Sequence, residues 1–249
     1  MKDKPRIAAT VECRMGSSRL PGKVLMRACG KPMLELLAER LAKIPQVDAI
    51  VLATTTAPGD DPIVELAGKL GLACFRGSEE DVLSRVLGAA RSAEADLILE
   101  ITGDCPLNDP EIAGQVIDLY LRNDCDYASN VDPLTFPIGM DAQVFSTELL
   151  ALADREGQTQ EDREHVSWFI RKNPERFRKL HLPAPLTLHW PELAVTLDEK
   201  EDFELIKRIF EELYPKDPDF SCYDILRLLR EKPELLEINK NIVRKEPEA

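Results

Sequence analysis

Ten residues near the start of the chain gather charges and small side chains in one stretch: Arg14-Met15-Gly16-Ser17-Ser18-Arg19-Leu20-Pro21-Gly22-Lys23. Glycines let a backbone turn tightly and aim its N–H groups at one point, where they can hold an anion. Ser17 and Ser18 add hydroxyl donors. Arg14, Arg19 and Lys23 add cations suited to phosphate oxygens, the guanidiniums as forked donors and the ammonium as a compact charge. The pattern predicts a polyphosphate-binding loop, with a basic surface turn as the alternative. It is not a G-x-x-x-x-G-K-[ST] loop. The run from Gly16 to Gly22 is one residue too long, and Val24 stands where a hydroxyl would bind Mg²⁺.

A second stretch, Thr102-Gly103-Asp104-Cys105-Pro106-Leu107, supplies the opposite charge. A carboxylate beside bound phosphates is a natural Mg²⁺ ligand, because that ion combines a few carboxylates with substrate oxygens. Asp104 is the first candidate. Asp198, closing the apolar run Ala194–Leu197, is the second; its alternative role is to cap the helix that follows.

These side chains need a scaffold that brings distant loops together, and the periodicities supply one. Arg6–Cys13, Ala49–Thr55, Ala73–Arg76 and Asp96–Thr102 read as strands. Helices are expected between them. One covers Lys31–Ile44, with Pro32 in its first turn. One opens at Asp61-Pro62 and stops at Gly71. One is started by a Ser78-x-x-Asp81 capping box and runs to Ala93. A fourth, Pro110 to Arg122, is capped by Asn108-Asp109. Strands alternating with helices imply a three-layer α/β sandwich with a mostly parallel central sheet. Ligands in such sheets sit beyond the carboxyl ends of the strands. That directs attention to the turns after Cys13, Thr55, Arg76 and Thr102, and adds Arg76 and Gly77 to the binding candidates with Thr102 and Gly103. The second half is less regular. Strands are expected at Asp141–Ser146, Phe177–Leu182 and Ala194–Leu197. Helices are expected at Thr159–Lys172, Glu199–Leu213 and Cys222–Arg230.

The segments R-M-G-S-S-R-L-P-G-K-V-L, E-E-D-V-L-S-R, T-G-D-C-P-L-N-D-P, R-E-H-V and T-L-D-E-K-E-D-F-E-L-I resemble the cytidylyltransferase superfamily. The likeness runs from Arg6 to Asn239 and is nearest to the spore-coat polysaccharide branch, beside acylneuraminate and CMP-KDO synthetases. The resemblance implies a nucleotide-diphospho-sugar-transferase-like fold and CTP held by Arg14–Lys23. It implies Mg²⁺ on Asp104 and Asp198, and transfer of CMP to a sugar-like acceptor with release of pyrophosphate. Arg14, Lys23 and Asp104 are the catalytic candidates. A homodimer is also implied, and residues 125–192 of a single 249-residue domain are the expected acceptor-binding and dimerisation region. Glu12, Glu100, Asp141, Gln143 and His165 are the acceptor-pocket candidates.

Departures from the family pattern sharpen that expectation. The family commonly has Gln at the place of Glu12, Arg at Glu100, Glu at Gln143 and Arg at Ala194. Two anionic groups in that neighbourhood suit an acceptor bearing a cationic or amino group. The rival readings are a glycosyltransferase of related fold, which would be expected to carry a D-x-D after the fourth strand, and a non-catalytic nucleotide-binding subunit. No G-x-G-x-x-G follows the first strand, which argues against a dinucleotide-binding dehydrogenase.

Composition and cysteine usage are read as those of a cytosolic protein. Of 249 residues, 44 % are hydrophobic, enough for a sizeable core, and the formal net charge is -13, which disfavours nucleic acid and anionic membranes as partners. Six cysteines are scattered without a C-x-x-C pair and are expected to be reduced. No apolar run is long enough for a transmembrane helix.

Overall fold

The computed structural model describes residues 4–243. Met1–Asp3 and the charged tail Arg244–Ala249, expected to fray, lie outside the described residues. The chain begins with strand β1 (Ile7–Glu12), then a small ribbon of β2 (Arg27–Ala28) and β3 (Lys31–Pro32). There follow α1 (Met33–Leu41), β4 (Ala49–Thr55), α2 (Asp61–Leu70), β5 (Ala73–Gly77), α3 (Val82–Ser92), β6 (Leu97–Thr102) and α4 (Pro110–Arg122). The second half adds β7 (Tyr127–Ser129), β8 (Gln143–Ser146), α5 (Thr147–Glu156), α6 (Gln160–Glu164), α7 (Trp168–Arg171) and β9 (Lys179–His181). It ends with α8 (Lys200–Leu213) and α9 (Cys222–Glu231).

One sheet of seven strands runs in the order β5-β4-β1-β6-β8-β7-β9. The β5-β4-β1-β6 half is wholly parallel, and β8 enters antiparallel beside β6. The strands alternate their load between two faces. Ile7, Ala9, Val11, Leu99 and Ile101 pack against α1, α2 and α4 through Leu34, Leu37, Ile63, Val116 and Ile117. Ala8, Ala53, Ile98, Tyr127 and Phe145 face Leu83, Val86, Leu150, Phe169 and Ile170 on α3, α5 and α7. Burial on both faces explains why the strands read as nearly continuous apolar runs. A third cluster, built from α8, α9, Phe136, Val195 and Leu197, leans on Met33 and Leu36.

The fold is the expected three-layer sandwich, with local corrections. The first helix starts at Met33 rather than Lys31, because Lys31 and Pro32 pair with Ala28 and Arg27. Asp81, not Ser78, caps α3, accepting from the Ser84 N–H at 2.9 Å, while Ser78 Oγ accepts from the Asp81 N–H. The single helix expected over Thr159–Lys172 is two short ones, broken where His165 leaves helical geometry. Ala194–Leu197 is not a sheet strand and makes only one parallel bridge, Ala194 to Ile138. Strand β7 and helix α5 had no sequence counterpart. All six cysteines are free thiols.

Gly103 sets how closely β6 can approach β1. A Cβ placed there would lie 2.8 Å from Cys13 Cβ and 2.9 Å from the Glu12 carbonyl oxygen. Neither backbone can retreat, because the Gly103 N–H donates to that same carbonyl at 2.9 Å. Gly103→Ala is therefore expected to cost about 1–3 kcal/mol through overpacking. Thermal unfolding should show a Tm lower by roughly 2–12 °C for a chain of this size. An unchanged Tm would mean the two turns are not locked together.

Candidate active site

The loop after β1 is pinned at Met15, between Arg14 and its two later cations. Asp60, buried between β4 and α2, accepts from Thr54 Oγ1 at 3.0 Å and from the Thr55 N–H and hydroxyl. Its other carboxylate oxygen accepts from the Met15 N–H at 2.7 Å. These bonds hold its carboxyl below the ordinary value, although burial alone would raise it. The Met15 carbonyl then accepts from the Ser17 and Gly22 N–H groups at 3.0 and 2.9 Å, closing the loop on itself. Gly22 takes φ +75°, a left-handed conformation that glycine adopts without penalty, and the chain turns into a short 3-10 segment, Lys23–Leu25. Val24 is buried in the core, while Lys23 reaches two carboxylates.

Lys23 Nζ lies 3.0 Å from Asp104 Oδ2 and 3.1 Å from Asp198 Oδ1. Arg19 joins the same group, 3.0 Å from Asp198 Oδ1 and 3.8 Å from Glu199 Oε1. Burial works against the charge on Lys23, but the two carboxylates outweigh it and raise its pKa. Burial likewise opposes ionisation of Asp104; Lys23 and the Thr102 hydroxyl overcome that and hold the carboxyl low. Asp104 also anchors its partner through the main chain: its carbonyl accepts from the Leu197 N–H at 2.7 Å. Asp198 is not the helix cap. That role falls to Glu199, in a capping box with Asp202, which leaves the Asp198 side chain directed at Lys23 and Arg19.

The other candidates are placed unequally. Arg14 pairs with Glu79 at 3.1 Å, Gly16 lies next to that same Glu79 carboxylate, and Ser18 is exposed. Arg76 does not join this group; its guanidinium bonds the carbonyls of Thr55 and Ala57 and the Asp61 carboxylate, securing the turn after β4. Gly77 packs against Arg85. Asp141 is close enough for Asp104 to act on it: its carboxyl is pushed up to about 6, chiefly by burial and then by Asp104. Gln143 accepts from Tyr127 Oη at 2.5 Å and Ser167 Oγ at 2.7 Å. His165 is exposed at the end of α6. Its neighbour Arg163 joins Asp81 on α3 to Asp154 on α5, a role the R-E-H-V string alone does not disclose.

Sequence reasoning missed Asp60, whose carboxylate holds the Met15 amide. The adjacent Asp60-Asp61-Pro62 was visible as a helix start, but only the fold turns Asp60 under the Met15 amide. Among the described residues, no group of three or more His, Cys, Asp or Glu side chains is arranged to hold a metal. The pair that could hold a divalent ion is Asp104 and Asp198, gathered on a single ammonium, and two such carboxylates would suit an ion that completes its shell with phosphate oxygens and water.

Glu12 and Glu100 sit on adjacent strands and share a face. Burial, then the Glu100 charge, raises the Glu12 carboxyl; burial pushes Glu100 up to about 8. A carboxyl raised from 4.5 in this way stabilises the fold most at low pH, and that contribution disappears as pH climbs from about 4.5 to about 8. Glu100→Gln should therefore be at least as stable as the parent at pH 8, with its advantage in Tm shrinking by roughly 3 °C or more on moving to pH 5. A Tm difference constant across that window would show that Glu100 does not titrate there.

A family model described as cytidylyltransferase matches residues 8–242. The spore coat polysaccharide biosynthesis protein SpsF of Bacillus subtilis is 34 % identical over 230 residues, 90 % of this chain and 94 % of its own. A cytidylyltransferase structure from Leptospira borgpetersenii superposes with a TM-score of 0.87 at 30 % identity, covering 97 % of this chain and 99 % of that one. A CMP:2-keto-3-deoxy-manno-octonic acid synthetase, solved with CTP, shares the fold, with TM-score 0.64 at 17 % identity over 83 % of this chain and 99 % of its own.

Proposed function

Since this chain belongs to the cytidylyltransferase family, we propose that it moves CMP from CTP to a sugar or sugar-acid-like acceptor, releasing pyrophosphate, with Mg²⁺ as cofactor. The observation that carries the reading is Lys23, held within 3.1 Å of both Asp104 and Asp198 at the carboxyl ends of the parallel strands. The acceptor oxygen attacks the α-phosphorus, and the bond to the departing pyrophosphate breaks. Charge gathers on phosphate oxygens, so the protein's task is placement and neutralisation. Asp104 and Asp198 would hold Mg²⁺, which when bound supplies positive charge to the phosphate oxygens. Lys23 and Arg19 neutralise the departing pyrophosphate. The Arg14–Lys23 loop, fixed by Asp60, presents its amides without reorganising. Arg14 reaches the tail only by leaving Glu79, an exposed pair that is weak in water.

The same reading takes residues 125–192 as the acceptor-binding and dimerisation region of a single domain, in a cytoplasmic homodimer that makes precursors for polysaccharide synthesis. Among the described residues no helix is long and apolar enough to cross a membrane. Leu186, 94 % exposed within 125–192, supports an apolar contact there.

Lys23→Ala is expected to lower kcat/KM about 10²–10³-fold, the usual cost of removing one preorganised donor. Asp104→Asn should raise the Mg²⁺ concentration needed for half-maximal pyrophosphate release by tenfold or more. Wild-type kinetics in the first variant, or a superimposable Mg²⁺ titration in the second, would remove that residue from the chemistry. Leu186→Asp should shift the sedimenting mass from dimer to monomer; a protein that sediments alike with and without the substitution contradicts the dimer surface.

A further inference from the structure

Strand register places one polar residue from each of five neighbouring strands on a single rung of the sheet. His181 on β9 is opposite Ser129 on β7, Ser129 is opposite Gln143 on β8, Gln143 is opposite Glu100 on β6, and Glu100 is opposite Thr10 on β1. Residues paired directly across a sheet project from the same face, so all five look the same way. The rung just before it on that face is Tyr127, Phe145, Ile98 and Ala8, which is ordinary core. One step the other way, toward the carboxyl end of β1, stands Glu12.

Most of this rung lacks partners. Thr10 Oγ1, Glu100 Oε2, Ser129 Oγ and both ring nitrogens of His181 make no hydrogen bond, nor does Glu12 Oε2. Thr10, Glu100 and Ser129 are at least 96 % buried, while Glu12, Gln143 and His181 are only partly covered. Buried and partly exposed positions thus alternate along the row, with His181 at one end and Glu12, beyond Thr10, at the other open to solvent in part. Buried polar atoms left unsatisfied cost about 1–3 kcal/mol each, so such a row persists when a ligand completes it.

The charge along this face selects the ligand. Two carboxyl groups sit diagonally across β1 and β6, and neither makes an ion pair among the described residues. Arg85 and Arg171 are the nearest cations. The Arg85 guanidinium is already bonded to the carbonyls of Ala53, Ser78 and Glu79. Arg171 lies against the Trp168 ring, 5.6 Å from its centroid, with Nε unpartnered. Resting on the transfer reading above, we infer that the acceptor is an amino sugar whose primary ammonium is held between the Glu12 and Glu100 carboxylates, with its hydroxyls over Thr10, Ser129 and His181. An ammonium has three donors and no acceptor, and its charge draws the protons off the buried carboxyl pair, which then offers only acceptors to it. A hydroxyl brings no charge to favour ionisation of either carboxyl, so the hydroxyl analogue gains no ion pair there.

The test compares matched ligands on the intact wild-type protein. Amino sugars and amino sugar acids with the amine at different carbons are each set against their hydroxyl and N-acetyl counterparts. Binding is measured by calorimetry without nucleotide, and pyrophosphate release with CTP and Mg²⁺. At least one amine should bind tenfold or more tightly than both counterparts. Glu12→Gln and Glu100→Gln, verified as folded by circular dichroism, should each reduce that preference at least tenfold. A panel in which no amine outbinds its counterparts overturns the inference, as does a preference that survives both substitutions. Preferential amine binding without turnover on CTP would count against the transfer reading and leave the amine site standing. Faster turnover of hydroxyl acceptors would do the reverse.

Discussion

The arrangement depends on one ammonium shared by two carboxylates drawn from well-separated parts of the chain. Lys23 is partly buried, and taking its charge out of water is costly unless the compensation is close and well aligned. Asp104 and Asp198 supply it at 3.0 and 3.1 Å. Each member is fixed by something else: Lys23 by buried Val24 next to it, Asp104 by the turn at Gly103, and Asp198 by the cap that Glu199 and Asp202 place on α8. The three charges are thus preorganised by backbone and core rather than by one another. In the proposed transfer, an incoming anionic tail would have to compete for Lys23 with two groups that stay where they are when it turns away.

The parallel half of the fold was legible because its signals are local. Ala49–Thr55 is a run of apolar and β-branched residues, and Asp61-Pro62 and Gly71 bracket α2 at its observed ends. The second half was harder for physical reasons. Tyr127–Ser129 is three residues long and owes its strand character to β8 and β9 on either side, which no window along the chain can see. The break in the expected helix over 159–172 comes where Thr159 and Asp162 have already closed a capping box and α7 must turn to bury Phe169 and Ile170. Ala194–Leu197 has a strand's composition but is consumed by bonds to Ile138 and Asp104 instead of a ladder.

The site divides in the same way. Clustered charge made Arg19, Lys23 and Asp104 readable, since three cations in ten residues need a reason to be there. The polar rung was invisible as a set: Thr10, Ser129 and His181 are unremarkable one by one, and only register across five strands aligns them. Arg76 illustrates the converse. A cation at the end of a strand looked like a phosphate contact, yet its guanidinium is committed to the carbonyls of Thr55 and Ala57.

Lys23 and Asp198 are separated by 175 positions, and the second carboxylate is among the later parts of the site to be made. At a ribosomal rate of about 5–20 residues per second, roughly 9–35 s pass between the two. During that time a nascent chain gains first the loop and then Asp104, but has nothing to complete the trio. The trio therefore closes late in biosynthesis, after every strand of the central sheet has been made.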